Sequence, residues 1–198
     1  MLPILLLHGI LDGPDAWSRV APLLEAAGRR VILHDARHLV TPQEVALDAA
    51  PHLPAHVVGH SRGATAASWL AVEDPDRVAS LAVVASPPHA TEAFRATFRR
   101  RIPRAGGPED RAALTYLAQI PDDAFPAEAL RRYRGRALVV EYEDDPLYSP
   151  THTMFWRMFL PYAEFHRVPG GHRAFAEDKA AAAWLAQCIM AHVAAAEG

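Results

Sequence analysis

Two glycines flank a serine at Gly59-His60-Ser61-Arg62-Gly63, a G-x-S-x-G pattern. The run His56–His60 before it reads as a buried strand, and Ser61–Glu73 after it has helical spacing. A serine at such a sharp turn must hold strained dihedrals with backbone close on both sides, and glycine flanks relieve the clashes. The helix start behind it offers unpaired N–H groups and the positive end of a dipole where an oxyanion would develop. The chemistry implied is nucleophilic attack by the Ser61 hydroxyl.

A serine at its free pKa is a poor nucleophile and needs a base within reach. Of eleven histidines, His172 is the candidate. It closes Pro169-Gly170-Gly171-His172, between the last strand and the last helix, and in a parallel sheet such loops gather at the edge where Ser61 lies. His60 adjoins the nucleophile and is expected to point away; His8 ends the first strand and is expected to pack or hold a loop. His34 and His38 are four apart with no third ligand, so no metal site is expected. The base needs a carboxylate to fix its tautomer, and Glu143, Asp144 and Asp145 end the fifth strand. Two backbone N–H groups, of Ile10 and Arg62, are placed to receive the oxyanion. Losing one such donor costs about 3–4 kcal/mol of transition-state stabilisation.

Six short apolar runs must position these groups: Leu2–His8, Arg30–His34, His56–His60, Val78–Ser86, Ala137–Tyr142 and Glu164–Val168. Four are near-continuous, as in parallel strands covered on both faces, whereas Glu164–Val168 alternates and is expected at an edge. Helical spacing follows at Asp15–Ala27, with Trp17, Val20, Leu23 and Leu24 on one face, and at Pro42–Ala50, Ser61–Glu73 and Pro150–Leu160. The last helix, Arg173–Ala196, carries Trp184, Leu185, Cys188, Ile189 and Val193 in a stripe. Strands alternating with helices imply an α/β fold with right-handed crossovers. From about Pro87 to Gly135 only helical pieces between prolines and glycines appear, and an insertion of that length is expected to cap the sheet's C-terminal edge.

The length of 198 residues fits a single domain, 1–198, with the cap at about 87–135. A net charge of −3 excludes a globally basic nucleic-acid or membrane binder. The N-terminal apolar run lacks the basic region and cleavage site of a signal peptide and is too short to span a bilayer. With one cysteine, Cys188, no disulfide framework exists, and a cytoplasmic location is expected. No cofactor is expected.

These residues resemble the α/β-hydrolase family across nearly the whole chain. Leu7-His8-Gly9-Ile10 with Trp17 looks like its oxyanion loop, Gly59–Gly63 like its nucleophile elbow, and Pro169–His172 like its histidine loop. Glu143-Asp144-Asp145-Pro146-Leu147 resembles its acid turn, where the Asp before the proline is usually catalytic, so the resemblance favours Asp145 over Asp144. The order Ser, acid, His is also that of this fold. It implies a mostly parallel sheet in strand order 2-1-3-4-5-6, without the usual N-terminal antiparallel hairpin. Three departures stand out: Asp35-Ala36-Arg37-His38-Leu39 replaces a common Asp-x-x-Gly-x-Gly turn, Tyr142 replaces a usual glycine, and Arg62 replaces Met or Gln, its side chain expected to border the pocket.

The resemblance implies a serine hydrolase cleaving esters or thioesters through Ser61, His172 and Asp145. The alternative is a ligand receptor or interaction protein of this fold with vestigial hydrolysis, in which Phe94, Phe98, Trp156 and Phe159 line a pocket, although apolar residues at this spacing are more often core. The cap carries ten arginines against six acids between His89 and Arg136, leaving +4 there and −7 elsewhere. That asymmetry suits an acidic acyl carrier as partner, although a solvated arginine-rich face has the same composition.

Overall fold

The apolar runs pair as one six-stranded sheet. In the computed structural model, which describes residues 1–126, 128–147 and 149–198, the strands are β1 (Ile4–Leu7), β2 (Val31–His34), β3 (Ala55–His60), β4 (Val78–Val84), β5 (Arg136–Tyr142) and β6 (Glu164–Val168). Their spatial order is β2-β1-β3-β4-β5-β6, and all five pairings are parallel. This is the order expected from the resemblance. Ile4, Leu5, Leu6 and Leu7 are fully buried because helices cover both faces. The alternating Glu164–Val168 strand is indeed an edge.

On one face, α2 (Pro42–Ala49), α3 (Arg62–Glu73) and α6 (Pro150–Phe159) enclose Leu5, Leu7, Val57, Leu70, Val83 and Trp156. Thr41 and Glu44 start α2 with a reciprocal capping box. On the other face, α1 (Ala21–Ala26), α7 (Ala174–Glu177) and α8 (Lys179–Glu197) cover Ile4, Leu6, Val58, Val84 and Val140. α8 is long and apolar enough to cross a membrane, yet Leu185, Ile189 and Val193 are buried against the sheet.

Two helical expectations are corrected. Asp15–Ala27 is a 3-10 turn at Pro14–Trp17 followed by the separate α1, and Leu23 is 42% exposed instead of sharing the buried face of Trp17, Val20 and Leu24. Arg173–Ala196 breaks at Asp178, whose carboxylate accepts from the Ala181 N–H at 2.7 Å and starts α8. A backbone-binding Asp is worth more as a cap than inside a helix.

Between β4 and β5 the described residues form α4 (Glu92–Arg99), α5 (Pro108–Gln119) and three short 3-10 turns. Phe94, Phe98, Leu114, Leu117 and Ile120 make a separate apolar cluster there, joined by Ile10 from the β1 loop and Leu147 from the β5 loop. This insertion therefore packs against the loops at the C-terminal ends of the strands.

Candidate active site

Because all strands run the same way, the loops after β1, β3, β5 and β6 emerge at one edge. Ser61 follows β3 with φ 53° and ψ −121°, a backbone conformation that costs a non-glycine residue about 1–3 kcal/mol. Its N–H donates to the Val84 carbonyl at 3.0 Å. The flanking glycines are sterically required: a Cβ on Gly59 would stand 2.2 Å from the Gly63 carbonyl oxygen, and one on Gly63 would stand 2.3 Å from that of Leu7. The turn is thus a crossing of three backbones, and the hydroxyl it presents sits at the front of α3.

His172 Nδ1 lies 2.7 Å from Asp145 Oδ2. A carboxylate only accepts, so Nδ1 carries the proton and Nε2 is left as the acceptor. Asp145 is buried, and its other oxygen accepts from the Leu147 N–H at 2.9 Å, which fixes the carboxylate. Asp144 is exposed, and Glu143 is also exposed. Of the three acids, Asp145 is the one the structure pairs with His172. Tyr148 lies outside the described residues.

Ser61 and His172 border the same cavity, of about 140 Å³, together with Gly9, Ile10, Phe94 and Phe98. Ile10 stands on its wall, and Arg62 is the first residue of α3. Among the described residues, neither backbone N–H has a protein acceptor. The loop before Ile10 is locked by His8. Ala36 N–H donates to His8 Nε2 at 3.0 Å, so His8 Nδ1 holds the proton and donates to the Gly9 carbonyl at 2.7 Å. In a trans peptide the carbonyl and the following N–H point oppositely, which turns the Ile10 N–H away from His8. Burial lowers the His8 pKa, keeping this tautomer neutral. The expected loop-holding role of His8 is what the geometry shows.

The Arg62 side chain is buried and donates to the Leu39 and Ala36 carbonyls, and burial lowers its pKa to about 10. It ties down the segment that replaces the commoner glycine-rich turn. Phe94 and Phe98 line the cavity while packing in the apolar cluster of the insertion. Trp156 instead enters the core and donates Nε1–H to the Ser86 carbonyl at 2.8 Å.

Two residues the sequence did not single out complete the site. Asp12 Oδ1 lies 3.2 Å from Arg173 Nε, and its Oδ2 lies 3.6 Å from His60 Nδ1. His60 does not point away into unrelated core: its Nε2 lies 2.9 Å from the His172 carbonyl, so it donates there. The loop after β1, the end of β3 and the loop after β6 are thus clasped together. The signals were adjacency to His8-Gly9 and to His172, which carry no direction by themselves.

An all-parallel sheet with a strained serine elbow and a histidine–aspartate pair at its C-terminal edge defines the class. The chain belongs to the alpha/beta hydrolase family, whose pattern matches residues 4–196. A Caulobacter vibrioides protein named as a carbamate hydrolase, RutD, is 30% identical over 177 residues, which cover 78% of this chain. The match spans only 62% of that relative's length. Among solved structures, a thermophilic esterase from Thermogutta terrifontis superposes with a TM-score of 0.82 at 19% identity, covering 100% of this chain and 91% of that one. A Mycobacterium tuberculosis protein named as a non-heme bromoperoxidase, BpoC, gives 0.80 at 20% identity, covering 98% and 93%. These two likenesses establish the fold.

Proposed function

We propose that this chain is a serine hydrolase that cleaves carboxylic ester or thioester bonds through an acyl-enzyme. Ser61 Oγ attacks the carbonyl carbon, and His172 Nε2 takes its proton. Asp145 stabilises the resulting imidazolium. The N–H groups of Ile10 and Arg62 receive the oxyanion, a contribution that does not depend on their side chains. His172 returns the proton to the leaving group, and water then clears the acyl-enzyme by the same route.

The observation that carries this reading is the 2.7 Å contact of His172 Nδ1 with buried Asp145. It leaves the opposite ring nitrogen as an acceptor in a histidine that shares a cavity with the strained serine. The relative named a carbamate hydrolase and the neighbour named an esterase are consistent with chemistry at a carbonyl.

The helical insertion serves in this reading as the cap over the site. Its exposed Arg100, Arg101 and Arg104 form a cationic surface beside the cavity, which Arg101 also borders, and an acidic acyl carrier is the macromolecular partner this surface suits.

A panel of p-nitrophenyl esters and acyl thioesters, run on wild type and Ser61→Ala, tests the reading. Turnover by wild type with loss of at least about 10³-fold in Ser61→Ala is expected. Equal turnover by both proteins would refute the serine mechanism.

A further inference from the structure

Resting on that serine-hydrolase reading, we infer from the cavities around Ser61 that the acyl group of the substrate is limited to about two carbons, on a larger and polar leaving group. The tetrahedral adduct on Ser61 Oγ carries three other substituents. Its oxyanion must face the Ile10 and Arg62 N–H groups. Its leaving group must face His172, which returns the proton. The acyl substituent takes the remaining side.

Two spaces border Ser61, only one of them reaching His172, and they are very unequal. The space bordered by both Ser61 and His172 is about 140 Å³. It shares Ile10, Leu11, Asp12 and Arg173 with an open cleft of about 580 Å³, which runs between the oxyanion loop, His38–Val40 and the start of α5. That cleft is polar, with Asp15, Arg37 and Glu109 along it, and it accommodates a leaving group far larger than the acyl part.

Away from His172 and Ile10, Ser61 also borders a space of about 20 Å³, which meets the first at Phe94 and Leu117. Its walls include Arg62, Thr65, Phe94, Ile120 and Phe125. A cavity needs roughly 10–15 Å³ to hold one water, so this one admits a methyl-sized group and no chain. Acetyl fits; butyryl and longer acyl groups do not.

The ceiling of this small space is anchored. Trp69 Nε1–H on α3 donates to the Ala124 carbonyl at 2.8 Å, and Arg95 Nε–H donates to the Ile120 carbonyl at 3.0 Å. Arg95 is also ion-paired with Asp122 at 2.5 Å. Ile120 and Phe94 are themselves buried within the apolar cluster of the insertion. A longer acyl chain must therefore displace a segment pinned at both ends, since close-packed interiors yield poorly to added methylenes.

Steady-state kinetics on p-nitrophenyl acetate, butyrate and hexanoate tests this, with acetate release from glucose pentaacetate as the polar leaving-group arm. Wild type is expected to favour acetate over hexanoate by at least about 10²-fold in kcat/KM, and to release acetate from the sugar ester. Phe125→Ala is expected to raise kcat/KM for butyrate by about tenfold relative to acetate, with Phe125→Leu as a milder variant should the first fold poorly. Hexanoate turned over as fast as acetate by wild type would overturn the acyl limit while leaving the serine mechanism intact. Turnover of no ester, together with an unreactive Ser61, would overturn the limit along with the reading beneath it.

Discussion

His60 and His172 are joined back to front: the His60 side chain donates to the His172 main-chain carbonyl at 2.9 Å, and the two rings sit 4.7 Å apart. The histidine proposed as base is therefore held from both sides, by Asp145 at its ring and by His60 at its backbone. Burial pushes the His60 pKa well below the usual value, and a charged His172 beside it would push it further. His60 is thus kept neutral beside His172. His60→Phe keeps an aromatic ring and removes the donor. We expect kcat to fall about tenfold with KM nearly unchanged, and His60→Gln to recover much of the loss, a single hydrogen bond being worth about 1 kcal/mol. Equal activity in His60→Phe and wild type would show that the bond positions nothing.

The two neighbouring aspartates are predicted to separate sharply. Asp145→Asn leaves an amide opposite His172 Nδ1 and favours the wrong tautomer, so kcat is expected to fall by about 10³-fold or more. The Asp144 side chain is exposed, and Asp144→Asn is expected to stay within about threefold of wild type. Steady-state rates on one ester measure both, and equal losses would defeat the assignment of the acid.

Stability should decline as pH falls, for a reason located in buried histidines. Burial holds His152 and His192 at about 4, with neighbouring cationic groups contributing, against an ordinary value near 6.5. These folded pKa values are depressed bases. Between about pH 6.5 and 4 the unfolded chain takes up protons that the folded chain refuses, so stability is lost across that window as pH falls. Each group is worth roughly 3 kcal/mol at most. The thermal midpoint of wild type is expected to drop between pH 7 and 5, and more steeply than that of His192→Gln. Parallel slopes for the two proteins would remove His192 from the explanation.

Gly63→Ala is predicted to damage the fold as well as the site. Its Cβ would lie 2.3 Å from the Leu7 carbonyl oxygen and 2.6 Å from the carbonyl carbon, in backbone that no rotamer can move. A loss of about 3 kcal/mol is expected, read as a lowered thermal midpoint. A midpoint within about 2 °C of wild type would mean the elbow has slack that these distances deny.

The strands and the elbow were readable because parallel strands appear as unbroken apolar runs and a G-x-S-x-G between strand and helix has one steric solution; the strand order came from the family resemblance. Ser61 and His172 were named from chain order and loop position, whereas Asp145 was preferred to Asp144 only through the family resemblance. The Asp12–Arg173 and His60–His172 contacts were not readable, since they join residues more than a hundred positions apart and nothing local directs a side chain across a loop. The break of the last helix at Asp178 was present as an N-cap signal, Asp before Lys179, but the apolar stripe on either side masked it. Leu23 shows the opposite case: the periodicity placed it with Trp17 and Leu24, and the 3-10 turn rotated it outward.

The most direct measurement is covalent. Wild type and His172→Ala are treated with a fluorophosphonate, and the adduct is mapped by peptide mass spectrometry with its rate of formation. A single adduct on Ser61, formed at least about 10²-fold more slowly without the His172 imidazole, is the predicted result. An adduct on any other residue, or an undiminished rate in His172→Ala, would contradict a serine activated by that histidine.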